Sequence, residues 1–236
     1  QFKDIPGTDP FGITLIKKDV ENQQGSPLGG ASLAGAQFTV QYYDGYYDEL
    51  DISGKELKRQ WIFETKYDES KKICSAVYDD AHKVSGDPLY KSNSGSPVLP
   101  LGTYVIWESK APEGYLLNEN AYLTDRENRI VATGGEKYVA QVTASGTQIK
   151  LTGGNEYSRY DRVKRGDFEF SKTGEEGERL AGIEFEIISD TTKERHTFVT
   201  DENGYYNSSV EYLKHNEKNG LWFGEYVEEK SGEKLT

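Results

Sequence analysis

LPLGTYVIWESKAPEGY, residues 99–115, decides how the rest of the chain is read. Leu99-Pro-Leu-Gly102 predicts a turn, because Pro presets φ and Gly relieves the steric limit on the backbone. Thr103 to Trp107 is a β-branched and aromatic run, the composition of a buried strand. Glu108 follows where that strand otherwise asks for an apolar residue, and Ala111-Pro-Glu-Gly-Tyr115 closes the stretch with a second turn. A carboxylate at the edge of an aromatic strand must be paired, protonated or surface-facing, since an isolated buried charge is too costly.

The pattern L-P-x-G-x-Y, a short strand, Glu, then A-P-x-G-Y resembles a block found in Cna-B/SpaA-like domains. These are stalk modules of Gram-positive surface adhesins and pilins. The resemblance implies that Glu108 catalyses a spontaneous amide bond between a Lys on the first strand and an Asn on the last. Phe11 to Asp19 (FGITLIKKD) alternates like a half-buried strand. It is similar to the family's first strand, with Leu15 apolar, Lys17 the reactive amine and Asp19 its Asp. Lys18 faces the other way, because strand side chains alternate. LAGAQFTV (33–40) is similar to the family's second strand. The resemblance puts the reactive Asn at Asn155, in GGNEY after a last strand at 147–152. Lys18 and Asn120 are the alternatives if the register is shifted.

The opening then repeats. LAGIEFEI (180–187) aligns with LAGAQFTV, and Lys172 aligns with Lys17. The fold class expected is all-β: two tandem Cna-B-type (inverse Ig-like, prealbumin-like) β-sandwich domains, the second truncated. The boundaries are 1–157 with a long 41–98 insertion, a charged linker at 158–166 (SRYDRVKRG), and 167–236. Lys172 is the candidate amine of the second domain, but no matching Glu block or terminal Asn follows it. Strands are expected at 60–67 and 72–78. Hairpins are expected at 121–124 with 129–133, at 138–143 with 147–152, and at 196–200 with 205–206.

Composition narrows the function. There are 28 Lys+Arg against 40 Asp+Glu, a net charge of −12. That excludes a phosphate-binding basic face, hence nucleic acid as a partner. The apolar residues fall in short runs, so no segment approaches a membrane span. One cysteine, Cys74, makes an intrachain disulfide impossible, and a buried thiol is a better reading of it than a thioester. The His residues at 82, 196 and 215 lack metal-ligand spacing. The acidic stretch 44–51 reads as a solvated loop, and no cofactor or metal is expected. Gln1-Phe-Lys-Asp-Ile-Pro reads as the start of an excised segment, with no signal peptide.

The resulting expectation is a structural stalk or presentation module, extracellular and wall-anchored through other parts of its parent protein. It is not an enzyme beyond a single self-crosslinking turnover. Neighbouring domains of the same protein are its expected partners. The alternative is an adhesin that recognises a host protein or glycan through the Tyr- and Trp-rich 41–98 insertion.

Overall fold

Period-two patterning builds this molecule. A computed structural model of the chain describes residues 12–20, 23–25, 27, 32–49, 51–117, 121–145, 148–151, 156–163, 168–188 and 195–207, and every regular element among them is a strand. The chain divides into two units, residues 1–26 with 32–162, and residues 27–31 with 163–236.

The first unit is a sandwich of two sheets. One contains β1 (Thr14–Asp19), β4 (Lys66–Asp68), β5 (Ile73–Val77), β9 (Tyr122–Thr124), β10 (Ile130–Thr133) and β13 (Glu156–Val163), in the order β10-β9-β13-β1-β5-β4. The two-residue β8 (Tyr115–Leu116) also pairs with β13. The other contains β2 (Gln37–Tyr43), β3 (Leu57–Glu64), β6 (Lys83–Gly86), β7 (Gly102–Lys110), β11 (Tyr138–Ser145) and β12 (Gln148–Leu151), in the order β12-β11-β7-β2-β3-β6. Inward residues of both sheets form one core: Leu15, Ala76 and Tyr157 from the first, Phe38, Val40, Trp61, Tyr104 and Ile106 from the second. Trp61 packs edge-on against Tyr78, with ring centroids 5.2 Å apart. Edge-to-face contact of this kind suits the ring quadrupoles.

The β9–β10 and β11–β12 hairpins form as patterning predicts. Three expectations for this unit need correction. The last strand of the unit is not the one expected at 147–152, whose described residues 148–151 form β12 on the edge of the opposite sheet; it is β13, running parallel beside β1. The charged segment taken for a linker is therefore strand as far as Val163. β13 lies in the middle of a sheet and is buried on both faces, so contrast between its two faces vanishes. Residues 41–98 are not an added body either. They supply β3 to β6 and the core residues Trp61, Phe63, Ala76 and Tyr78. The chain breaks at Thr65 and changes sheets there. The Thr65 hydroxyl pins the corner, donating to Leu33 O and accepting from Ala36 N.

Gly102 opens β7 at φ 142°, where a Cβ would stand 2.6 Å from Tyr43 O and 2.8 Å from Tyr42 Cε2. Gly102→Ala is expected to destabilise the first unit by about 1–3 kcal/mol, read as a lower urea midpoint at unchanged slope.

In the second unit β14 (Glu169–Ser171) pairs with β17 (Tyr205–Asn207), and β15 (Glu184–Ile188) pairs with β16 (Arg195–Val199). The expected hairpin at 196–206 is not one: β16 and β17 belong to different two-stranded sheets. The Asp201–Gly204 turn carries the chain between them, with Asp201 accepting from Asn203 N and Tyr205 N. The Phe198 and Tyr206 rings stack at 4.2 Å, so burial of both aromatics holds the sheets together in place of ladder bonds.

Candidate functional site

Alternation brings the polar groups to one level of the first sandwich. On β1, Leu15 enters the core and Lys17 and Asp19 follow on the same face. On β13, Tyr157 enters the core, with Arg159 and Asp161 following. The parallel register sets Leu15 opposite Tyr157, Lys17 opposite Arg159 and Asp19 opposite Asp161. On β7 of the facing sheet the inward series is Tyr104, Ile106 and Glu108, with Glu108 opposite Phe38 on β2. Three runs of apolar positions thus end together in charged residues.

Those charges are dry. Lys17 and Asp161 are 0% exposed, and Glu108 and Arg159 are 3% exposed. Lys17 Nζ lies 2.6 Å from Asp161 Oδ2 and 3.2 Å from Glu108 Oε1. Arg159 Nε donates to Glu108 Oε2 at 2.7 Å and to Asp161 Oδ1 at 3.1 Å. Tyr115 donates its hydroxyl to Asp19 Oδ2 at 2.8 Å. Asp161 Oδ2 accepts no hydrogen bond among the described residues despite its closeness to Lys17, so amine and carboxyl are apposed rather than directionally bonded.

Burial pushes the Glu108 carboxyl up to about 8; the Lys17 and Arg159 charges oppose that rise, and Asp161 adds to it through its charge and a hydrogen bond. Glu108 therefore holds its proton at neutral pH. The formal charges that remain, Lys17 and Arg159 against Asp19 and Asp161, then cancel. Cys74 is the antiparallel register partner of Lys17, and burial pushes its thiol up, away from the reactive thiolate.

The sequence motifs put Lys17 and Glu108 at one site, and the geometry brings them together. Asn155 and the alternative Asn120 lie outside the described residues. Lys18 points to the opposite face, donating to Tyr160 OH at 3.1 Å. Lys172 belongs to the second unit, half-buried, with its backbone N donating to Gly204 O. Asp161 and Arg159 were missed. The signal that could have found them is EYSRYDRV (156–163), where Tyr157, Arg159 and Asp161 recur at period two. A buried Lys17 and Glu108 also require further charged partners. The acidic loop 44–51 is tied to the outer face of the second sheet, with Tyr47 N donating to Thr103 Oγ1 and Gln141 Nε2 to Tyr47 O. Among the described residues no group of three His, Cys, Asp or Glu side chains is arranged to hold a metal ion.

This arrangement can do one reaction well. An amine touches a carboxyl, and a protonated second carboxyl lies within reach of both. Condensation to an amide would replace a buried ion pair by a neutral group and remove the cost of keeping two charges out of water.

The SpaA family profile, described as a prealbumin-like fold domain, matches residues 12–137. Among solved structures, the chain is similar to the Bacillus anthracis TIE protein, at 18% identity and TM-score 0.42, over 83% of this chain and 25% of that one. It is similar to the pilus adhesin SpaC from Lactobacillus rhamnosus GG, at 17% identity and TM-score 0.39, over 84% of this chain and 22% of that one. The shaft pilin SpaA of the same organism matches at 12% identity and TM-score 0.26, over 83% and 81% of the two chains. The chain thus spans about a quarter or less of the length of the first two. A search of curated protein sequences returned no match.

Proposed function

Because the chain belongs to the family of SpaA prealbumin-like fold domains, a structural and not an enzymatic family, we propose that its first unit is a load-bearing module of a Gram-positive surface pilin or adhesin. In this reading the module is locked by a self-formed amide bond between Lys17 and Asp161, with Glu108 as the catalyst. The observation that carries it is the buried apposition of Lys17 Nζ to Asp161 Oδ2 at 2.6 Å, with Glu108 Oε1 at 3.2 Å.

The steps balance. A proton passes from the Lys17 ammonium to the Asp161 carboxylate, leaving a neutral amine and a neutral acid. The nitrogen lone pair attacks Asp161 Cγ, and the carbonyl pair moves to Oδ1. Glu108 gives its proton to the departing Oδ2 hydroxyl and takes one from the attacking nitrogen. The Oδ1 pair collapses to a carbonyl, water leaves, and Glu108 returns to its acid form. Fixed apposition supplies much of the rate, since held groups reach very high effective molarities.

The mechanical reading follows from topology. Lys17 is on the first strand of the unit and Asp161 on its last, and the two strands are parallel neighbours. Tension entering before β1 and leaving after β13 would pass through the bond and leave the intervening chain unloaded. Such a bond cannot be reduced, which suits an extracellular protein with a single cysteine. Neighbouring domains of the same surface protein are the partners this role requires, and wall anchoring belongs to other parts of that protein. Recognition of a host protein or glycan through 41–98 is less favoured, because its strands are built into both sheets.

The test is a protease digest of the folded protein. A branched peptide carrying both Lys17 and Asp161 supports the proposal; two separate unmodified peptides contradict it. A pH dependence follows as well. The acid form of Glu108 is lost as pH rises through about 8. Chain recovered unfolded from inclusion bodies and diluted into refolding buffer is therefore expected to cross-link at a nearly level rate between pH 6 and 7. The rate should fall roughly tenfold per unit well above 8, as the protonated fraction does. A rate that climbs through pH 9 would mean Glu108 acts as a base.

A further inference from the structure

We propose that Arg159 is a second catalytic residue of this cross-linking reaction, supplying the donor fork that receives the negative charge developed on Asp161 Oδ1. The proposal rests on the Lys17–Asp161 reading above and deepens it.

The ground state leaves this guanidinium under-used. Its single Nε–H is shared between two acceptors, Glu108 Oε2 at 2.7 Å and Asp161 Oδ1 at 3.1 Å. Nη2, whose N–H lies on the same edge of the guanidinium fork, has no partner among the described residues although Arg159 is 3% exposed. A buried donor without an acceptor is costly, and its retention calls for an explanation. The reaction provides one. When Lys17 attacks Asp161 Cγ, Oδ1 changes from a carbonyl-like oxygen to a full oxyanion. That oxyanion can accept both N–H groups of the fork at the moment of greatest charge. An interaction stronger in the transition state than in the ground state is the kind that raises rate, and a preorganised donor in a dry site is its most effective form. Arg is the suitable residue, since it stays protonated when buried and presents two parallel donors in a rigid plane.

The register explains why this position carries it. Arg159 is the direct β13 partner of Lys17 and stands two residues before Asp161 on the same face. Nucleophile, acceptor and fork are thus set by one strand pair, and Glu108 reaches in from the facing sheet. After water has left, the fork keeps the Asp161 amide oxygen and Glu108 as its acceptors.

The experiment uses full-length chain recovered unfolded from inclusion bodies. The chain is diluted into refolding buffer across a pH series, quenched in denaturant at intervals, and followed by mass for the loss of water. Arg159→Gln is expected to cross-link about 10²–10³-fold more slowly than the parent. A second readout separates catalysis from support. The charged groups facing Glu108 are Lys17 from β1 and Arg159 and Asp161 from β13. Both cations hold the Glu108 carboxyl down, Lys17 more strongly and Arg159 after it. Removal of Arg159 should therefore shift the falling alkaline limb to higher pH even as the maximum rate drops. Arg159→Lys keeps the charge without the fork and should give an intermediate rate with the limb nearly unmoved. Near-UV circular dichroism reports whether each variant is folded; if Arg159→Gln is not, Arg159→Lys carries the test alone. A folded variant that cross-links at the parent's rate overturns the inference and leaves the cross-link intact. A slow Arg159→Gln with an unmoved limb also overturns it, since that is the signature of a structural role. A parent that never loses water removes the cross-link reading itself, and this inference with it.

Discussion

Glu108→Gln is expected to lower the thermal midpoint of the first unit by about 10–20 °C while leaving its sheets intact. The isosteric amide keeps a group of the same shape opposite Phe38 but cannot relay protons, so Lys17 and Asp161 remain separate. The lost bond spans nearly the whole unit. By analogy with a disulfide closing a loop of that length, its absence from the unfolded chain is worth about 5 kcal/mol. Each kcal/mol moves the midpoint of a domain this size by about 2–4 °C. Calorimetry of parent and variant side by side measures it. Asp161→Ala should fall further still, because it also leaves Lys17 and Arg159 short of a counter-charge, and breaking a buried pair costs about 3–5 kcal/mol. A Glu108→Gln midpoint within a degree or two of the parent would mean that no bond was lost.

Phe38→Ala carries the second large effect and joins packing to chemistry. Phe38 is fully buried in the sandwich core and is the β2 register partner of Glu108. Truncating a buried Phe costs about 3–5 kcal/mol through lost burial and the cavity left behind. The same cavity admits water beside Glu108, whose raised pKa comes first of all from burial. The carboxyl should move back toward its ordinary range, and less of it will hold a proton at neutral pH. Phe38→Ala is therefore expected both to lower the urea midpoint and to slow cross-linking at pH 7, with the rate recovered as the buffer is made more acidic. A variant that loses stability but keeps the parent's pH profile would show that Phe38 packs without shielding Glu108.

Much of this was legible in the chain. Glu108 stands out because a carboxylate ends a run of aromatic and β-branched residues, and Lys17 because FGITLIKKD resembles the family's first strand, which places the amine there. Asp161 and Arg159 sit in a strand buried on both faces, where Ser158, Tyr160 and Arg162 are as enclosed as their neighbours. There the alternation has no exposed half to contrast with, and SRYDRVKRG passes for a solvated connection. The segment 41–98 shows the complementary limit. Its strands announce themselves through Trp61, Phe63 and Ile73, but nothing local says that the corner at Thr65 sends β3 and β4 into different sheets. That choice is made by the core residues they meet. The Asp201 turn is similar, since a turn sequence fixes a reversal of direction but not which strand pairs with which.

The most direct test of the account is the intact mass of the purified, denatured protein at isotopic resolution, beside Asp161→Asn. The parent is expected to be lighter than its sequence by one water and the variant by one ammonia, since the same amine then displaces a different leaving group. A parent at its full calculated mass would contradict the bond. A parent lighter by one ammonia would contradict Asp161 as its acceptor and return that role to an asparagine such as Asn155.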